Sequence, residues 1–188
     1  MQTIKGHITH NMRSPEQWRI IKENGINFVG KKVMDLGCGW GDILLNCWAD
    51  GASTLVGVEY DPDNKRYLDD KISKYLSANP HIKGTIETLS TNIDDIDLSD
   101  NPPDIAICFS ILPYLDDYLD LLDKLYEDVA ITLIECQYGG DGPGIMHIKN
   151  DADMKAILQG IGWSKVEAIG KTLIVGRNKY RTIWKCTN

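Results

Sequence analysis

The fold is decided by the stretch Val33-Met34-Asp35-Leu36-Gly37-Cys38-Gly39-Trp40-Gly41-Asp42, in which an apolar strand ends at Asp35 and runs directly into three alternating glycines. Glycine allows the backbone to approach a ligand closely and to adopt positive φ angles. A buried strand, a glycine loop and a helix are therefore predicted in this order, with a ligand bound at the loop.

The next apolar run ends in an acid. Its sequence is Val56-Gly57-Val58-Glu59-Tyr60-Asp61, and Glu59 lies 20 residues after Gly39. In a sheet of parallel strands, an acid at the tip of the second strand is placed to bind both hydroxyls of a ribose. The two stretches together predict a nucleoside-binding crevice.

A nicotinamide dinucleotide is one candidate ligand for such a crevice. Dinucleotide sites favour the pattern GxGxxG, with a pyrophosphate at the helix N-terminus. Here Asp42 occupies the position of the third glycine, and its carboxylate would repel a pyrophosphate. A ligand that contains an adenosine without phosphates fits the residues better.

The rest of the chain alternates short apolar runs with segments of helical period, which is typical of a parallel sheet covered by helices. After Gly162, two β-rich runs separated by Asn178-Lys179 predict an antiparallel hairpin at the sheet edge. We expect an α/β fold, doubly wound, with a seven-stranded and mostly parallel sheet whose last strand is antiparallel. The predicted strands before the hairpin are residues 32–36, 54–59, 85–89, 104–109 and 130–137.

Four helices and the domain organisation are also predicted. Ser14 and Gln17 form a capping box that starts a helix over residues 15–24. Amphipathic helices are expected around Leu68 and over residues 115–129, and Asn150 is expected to cap a further helix. The absence of repeats and linkers predicts a single domain over residues 1–188, with an N-terminal helical cap segment at 1–30 and the hairpin at 163–188.

With these motifs the chain resembles the class I S-adenosylmethionine-dependent methyltransferases. Residues 35–41 match the first motif of the family and Glu59 the second. The resemblance implies a Rossmann-like fold, S-adenosyl-L-methionine as cofactor and S-adenosyl-L-homocysteine as product. It also implies that Asp35 and the loop face the methionine end of the cofactor, and that Glu59 binds the ribose.

The resemblance extends to the loops after the third and fourth predicted strands. Asn92 and Ile93 stand where the family reads the adenine edge, although the family more often has Asp at position 92. Ser110 and Tyr114 stand beside the expected position of the transferred methyl group. The implied cofactor-binding residues are Asp35, Gly37, Cys38, Gly39, Trp40, Gly41, Glu59, Tyr60, Asn92, Ile93 and Ser110.

The acceptor side is less defined by the sequence. Methyl transfer from a sulfonium is an in-line displacement that needs alignment and exclusion of water, and a base only for some acceptors. The candidate catalytic residues are His147, Tyr114 and Glu135. Glu135 lies near the end of the predicted strand 130–137, Tyr114 follows the strand 104–109, and His147 follows the glycine-rich loop at 139–144. A structural histidine at the start of a helix is the alternative interpretation of His147.

The composition indicates which partners and which cellular compartment to expect. The 27 acids and 20 bases leave a net charge of −7, which disfavours general nucleic-acid binding. No apolar run approaches the ~20 residues of a membrane span, and the N-terminal residues lack the apolar core of a secretory signal. The five cysteines form no CxxC pair, and the histidines lack the spacing of a zinc site. A cytoplasmic protein with reduced cysteines and no metal is expected.

These observations lead to one functional hypothesis and two rivals. The first is transfer of a methyl group from S-adenosylmethionine to a small-molecule or peptide acceptor, by a chain that acts with a second copy or a partner subunit. The second is a protein that binds the cofactor without transfer. The third is a nucleic-acid methyltransferase, suggested by the bases of the hairpin, of which Lys171, Arg177, Lys179 and Arg181 are examples.

Overall fold

A computed structural model describes residues 4–138, 148–174 and 179–188 of the 188-residue chain, and the side chains of residues 14–138, 148–173 and 180–188. The glycine-rich loop at 139–144 and His147 lie outside the described residues.

Seven strands form one sheet in the order β3-β2-β1-β4-β5-β7-β6. Strands β1 to β5 are parallel, and β7 is antiparallel to both of its neighbours. The predicted α/β fold with a seven-stranded, mostly parallel sheet is confirmed. The strands are β1 (Lys32–Leu36), β2 (Thr54–Val58), β3 (Thr85–Leu89), β4 (Ile105–Phe109), β5 (Ile131–Cys136), β6 (Lys165–Ile174) and β7 (Lys179–Thr187).

The central strand β1 positions the site. It pairs with β2 on one side and with β4 on the other, so the carboxyl ends of these three strands meet at one edge of the sheet. All five residues of β4 are buried, because parallel strands in a doubly wound fold are covered on both faces. The predicted hairpin is β6 with β7, and β7 inserts between β5 and β6.

The described residues form five α-helices, and two separate apolar clusters fill the core of the fold. Asp61 and Asn150 cap the third and fifth helices by accepting backbone N–H groups. No helix of the described ranges is long and apolar enough to cross a bilayer. The helices are α1 (Ile4–Glu23), α2 (Asp42–Ala49), α3 (Pro62–Ala78), α4 (Tyr118–Asp128) and α5 (Asp151–Ile161).

The predicted start of the first helix at Pro15 is wrong. Helix α1 begins at Ile4 and runs through Pro15, so Ser14 and Gln17 form no capping box. An interior proline removes one helical hydrogen bond, but packing of α1 against α2 and β6 overrides this local preference. Gln17 is buried instead, with 5% of its surface exposed.

The starts of β4 and α4 also differ from the prediction by a few residues. Asp104 lies before β4, because its side chain accepts a hydrogen bond from the backbone N–H of Lys32 at 2.8 Å. Residues Leu112–Tyr114 form a short 3-10 helix, and α4 begins only after Asp117, whose carboxylate caps it. Polar side chains that bind backbone groups thus end or start these elements.

We expect Asn150→Ala to lower the free energy of unfolding by about 1 kcal/mol, since Asn150 accepts from the backbone N–H groups of Ala152 (2.8 Å) and Asp153 (3.0 Å). Chemical denaturation measures this change. Asn150→Ser, which keeps a capping oxygen, should stay close to the wild type, and an equal loss in both variants would contradict the capping role.

Candidate active site

A cavity of about 840 Å³ opens at the carboxyl ends of β1, β2 and β4. This volume lies within the ~300–1,000 Å³ of typical small-molecule sites. The structure brings most of the residues predicted from the sequence together around it. Those that line it are Asp35, Gly37, Cys38, Gly39, Trp40, Glu59, Tyr60, Asn92, Ile93, Ser110 and Tyr114.

The glycine loop between β1 and α2 has the backbone that its sequence predicted. Gly37, Gly39 and Gly41 have φ angles of 71°, 54° and 71°. A side chain at position 37 would collide with Ile111, and one at position 41 with Leu68, whereas position 39 has no neighbouring atom within 4 Å. Gly41 is therefore a packing residue of the loop, and Gly39 faces open space.

Glu59 holds the loop from the neighbouring strand. One carboxylate oxygen accepts the backbone N–H of Gly39 at 2.9 Å, and the other accepts the N–H of Asp61 at 2.8 Å. Only 8% of the Glu59 surface is exposed. A carboxylate has about four acceptor sites, so these two bonds leave capacity for hydroxyl donors of a ligand.

Asp35 lies at the floor of the cavity and is only 4% exposed. Burial raises the pKa of its carboxyl to about 7, and the nearby charge of Glu59 contributes to the shift. A cation in the cavity would therefore strongly stabilise the ionised form of Asp35.

Helix α3 braces the loop through Trp40 and Asp42. The indole N–H of Trp40 donates to Asn64 Oδ1 at 3.1 Å, and its ring lies 4.9 Å from that of Tyr67. The ammonium of Lys71 donates to the carbonyl of Trp40 at 3.0 Å and forms an ion pair with Asp42. Lys71 was not identified from the sequence. Its charge reduces the repulsion that Asp42 was expected to exert on a pyrophosphate.

The two residues assigned to adenine follow β3 and line the cavity. Asn92 is exposed and caps a short 3-10 helix, Ile93–Asp95, in which its side chain accepts the N–H of Asp94 at 3.4 Å. Ile93 is 9% exposed and packs into the core. Both line the cavity, and their contact with adenine stays a prediction.

A further part of the cavity wall is formed by the residues that follow β4. Ser110 has a φ angle of +63°, the one positive value at a non-glycine position in the described part of the chain. Its hydroxyl donates to Glu135 Oε2 at 2.6 Å, and Arg181 donates to the same hydroxyl oxygen. Tyr114 lies at the mouth with 79% of its surface exposed.

Glu135 does not line the cavity, contrary to the prediction for an acceptor-pocket residue. It is fully buried behind Ser110, because strand pairing with β4 and β7 encloses the end of β5. Gln17 lines the cavity and was missed, since its sequence pattern indicated a helix cap. No group of three or more His, Cys, Asp or Glu side chains within the described ranges has the geometry of a metal site.

A model of the methyltransferase domain family matches residues 33–129, which is more than half of the chain. This match includes the glycine loop, Glu59 and the Ser110 turn. The chain therefore belongs to the class I S-adenosylmethionine-dependent methyltransferases, and it is an enzyme of that class.

Solved structures show the same fold at low sequence identity. EvdMO1 is 16% identical with a TM-score of 0.69, over 93% of this chain and 40% of that chain. Magnesium protoporphyrin IX methyltransferase (ChlM) from Synechocystis PCC 6803 with bound SAH is 17% identical with a TM-score of 0.72, over 96% and 84%. A putative S-adenosylmethionine dependent methyltransferase from Listeria monocytogenes is 13% identical with a TM-score of 0.70, over 94% and 100%. No curated protein matches the chain by sequence.

Gly39→Val should lower the affinity for S-adenosylmethionine at least tenfold. A β-branched residue resists a φ of 54°, and its side chain would project into the open space beside the loop. Titration calorimetry measures the affinity, and circular dichroism reports the fold. Gly160→Ala in α5, where a Cβ meets no atom within 4 Å, is the control and should bind normally. Normal binding by a folded Gly39→Val protein would contradict the assignment.

The Asp35 carboxyl predicts a specific pH dependence of stability. Because its folded-state pKa of about 7 exceeds the ordinary pKa of 3.8, its contribution to stability is fully present below about pH 4 and is lost as the pH rises through about 7. Between these limits the free energy of unfolding of the wild type should fall by on the order of 4 kcal/mol relative to that of Asp35→Asn. Urea unfolding at a series of pH values measures the difference. Asp123 is exposed, so Asp123→Asn is the control and should keep the pH dependence of the wild type. If plots of unfolding free energy against pH are parallel for the wild type and Asp35→Asn, the burial of a neutral carboxyl is contradicted.

Proposed function

We propose that the cavity binds S-adenosylmethionine and that the protein transfers the methyl group to a small-molecule or peptide acceptor by in-line displacement. The observation that carries this proposal is the convergence of the glycine loop and Glu59 on one cavity, with the loop N–H of Gly39 already bound to the Glu59 carboxylate at 2.9 Å. A site assembled in this way loses little entropy when the ligand binds.

The charged and hydrogen-bonding residues that line the cavity favour one orientation of the cofactor. The ribose hydroxyls are donors that suit the remaining acceptor sites of Glu59. The ammonium and sulfonium of the methionine part are cations that suit Asp35, since a cation favours the ionised form of a carboxyl whose pKa is about 7. The adenine then extends to Asn92 and Ile93, and the methyl group lies toward Ser110 and Tyr114.

The charge of the cavity favours a cationic ligand over a dinucleotide. Six carboxyl groups line it, and the described lining residues include no lysine, arginine or histidine. Lys71 offsets one of these charges through Asp42, but the remaining field is negative. Two phosphates would be repelled by such a site. The six carboxyls are those of Asp35, Asp42, Glu59, Asp61, Asp94 and Asp116.

Observations at the hairpin support a small or peptide acceptor over a nucleic acid. Lys171 pairs with Asp151 at 2.7 Å, and Arg181 lies 3.8 Å from the buried Glu135. These two cations are thus neutralised by acids of the same chain and contribute little to a phosphate-binding surface. The net charge of −7 acts in the same direction.

The five cysteines are free thiols, four of them buried, which supports our assignment of the enzyme to a reducing compartment such as the cytoplasm. A second copy or a partner subunit stays part of the proposal.

Titration calorimetry with S-adenosylmethionine, S-adenosylhomocysteine and NADH tests the cofactor assignment. We expect both sulfur nucleotides to bind and NADH not to bind. Glu59→Gln should lower the affinity for both sulfur nucleotides by about 10- to 100-fold, since a hydrogen bond to a charged group contributes about 1.5–3 kcal/mol. Glu167→Gln, at an acid that pairs with Lys165 on the sheet edge, is the matched control and should bind normally. Binding of NADH alone would overturn the proposal.

Transfer is then tested with tritiated S-adenosylmethionine and a panel of phenols, alcohols, amines and carboxylic acids. Labelled product from any class supports an enzyme with a small acceptor. Tight cofactor binding without product from the panel or from short peptides would favour a binding protein, and product only with RNA or DNA would favour the nucleic-acid alternative.

A further inference from the structure

A chain of buried polar groups leads from the acceptor end of the cavity into the sheet. It begins at Ser110, which lines the cavity and is 5% exposed, and it ends at Glu135, which is fully buried in β5. The hydroxyl of Ser110 joins them through a hydrogen bond of 2.6 Å to Glu135 Oε2. Such a short contact is typical of a hydroxyl that donates to a carboxylate.

Two further groups define the charge state of Glu135. Thr172 donates its hydroxyl to the second oxygen, Oε1, and the guanidinium of Arg181 lies 3.8 Å from Oε2. A buried carboxylate persists in its ionised form only when donors and a cation surround it, as they do here. Glu135 is therefore a base that is shielded from bulk water.

The geometry of Ser110 defines how it meets a ligand. Its backbone has a φ angle of +63°, which is unfavourable for a side chain other than glycine and which neighbouring contacts must maintain. Its backbone N–H donates to the carbonyl of Glu135 at 2.7 Å, and its hydroxyl oxygen accepts from Arg181. Since a hydroxyl carries one proton, and this proton points to Glu135, Ser110 meets a cavity ligand as an acceptor.

We propose that Ser110 and Glu135 form a proton relay that deprotonates a hydroxyl acceptor during methyl transfer. This inference rests on the proposed function and specifies its substrate class as an alcohol or a phenol. The acceptor O–H donates to Ser110 Oγ. As the acceptor oxygen attacks the methyl carbon, the O–CH₃ bond forms, and the electron pair of the S–CH₃ bond passes to sulfur. The acceptor proton moves to Ser110 Oγ, whose own proton moves to Glu135 Oε2.

The chemistry of acceptors explains why the relay indicates a hydroxyl. A carboxylate is already an anion and needs no base, and a neutral amine can attack first and release its proton afterwards. An alcohol or phenol must lose its proton as the new bond forms, so a base in contact with the site accelerates its methylation. By this reasoning Ser110 is the catalytic residue, and Glu135 and Arg181 act through it as positioning residues.

Among the described residues, Arg181 and Cys136 are ionisable groups close to Glu135. Arg181 remains charged, and burial raises the pKa of the Cys136 thiol to about 12. Neither changes its charge between about pH 6 and pH 10, the range of the kinetic test. A change of the pH profile on removal of Glu135 is therefore attributable to the relay.

The first experiment needs no acceptor. Infrared difference spectra of the wild type against Glu135→Gln, both in complex with S-adenosylhomocysteine, report the protonation state of Glu135 at neutral pH. The relay requires the bands of an ionised carboxylate. A protonated carboxyl band assigned to Glu135 would overturn the proposal whatever the acceptor is.

The second experiment uses the probes of the acceptor panel and the turnover rate at saturating cofactor. Glu135→Gln keeps an oxygen for the Ser110 hydroxyl but removes the base, and Ser110→Ala breaks the relay without leaving an unpaired buried charge. We expect kcat for phenols and alcohols to fall at least tenfold in both. Glu135 does not line the cavity, so the cofactor dissociation constant of Glu135→Gln should stay within about threefold of the wild type. The deficit should shrink as the pH approaches about 10, because the phenol then ionises without the relay.

Thr132→Val is the matched control. Thr132 is a fully buried hydroxyl on the same strand as Glu135, and among the described residues it has no hydrogen-bond partner. Its removal should leave kcat and the pH profile unchanged. If Glu135→Gln fails to fold, Ser110→Ala decides the kinetic test alone.

The outcomes separate this inference from the proposed function. If the wild-type protein does not bind S-adenosylmethionine, the proposed function is contradicted. Normal binding with methylation of amines or carboxylates only, or unchanged kcat in a folded Ser110→Ala protein, would overturn the relay and leave the methyltransferase assignment intact.

Discussion

The hydrogen bonds from two backbone N–H groups to the Glu59 carboxylate are the interaction on which the site depends. They join the loop after β1 to the turn after β2 through Gly39 and Asp61. Parallel pairing of β1 with β2 places both turns at one edge of the sheet, and positive φ angles at the glycines let the loop reach the carboxylate. The close approach of Asp35 to Glu59 is a consequence, and it leaves a negative site that suits a cationic cofactor.

A second constraint comes from the insertion of β7 between β5 and β6. This strand order carries Arg181 from the C-terminal hairpin to the ends of β4 and β5, where it contacts Ser110 and the side chain of Gln137. The hairpin thereby supports Ser110, which lines the cavity, as well as closing the sheet. Loss of one partner of a buried ion pair is costly, since the other charge remains desolvated. The hairpin, β5 and the Ser110 turn are therefore coupled in stability as well as in position.

Helix α3 holds the glycine loop after β1 from its other side. Asn64, Tyr67 and Lys71 lie on one side of this helix and hold Trp40 and Asp42. Asp61, which caps α3, also donates its N–H to Glu59, so the start of the helix and this carboxylate are fixed together. The conformation of the glycine loop is thus determined by contacts on both of its sides, which reduces the entropy that a ligand must remove on binding.

Local patterns in the sequence determined the strand–loop–helix unit, the acid that follows 20 residues after Gly39, the parallel sheet and the hairpin. These features depend on short-range chemistry: glycine permits positive φ, buried strands need continuous apolar runs, and capping side chains bind N–H groups two or three residues away. The tertiary structure alone decided the passage of α1 through Pro15, the pairing of Lys71 with Asp42 and the burial of Glu135 behind Ser110. In each case the partners lie far apart in the chain, Ser110 and Arg181 by 71 residues, so only strand order and helix packing bring them together. Electrostatic pairing at such separations leaves no periodic pattern in a single sequence, and it is the part of the site that the fold had to supply.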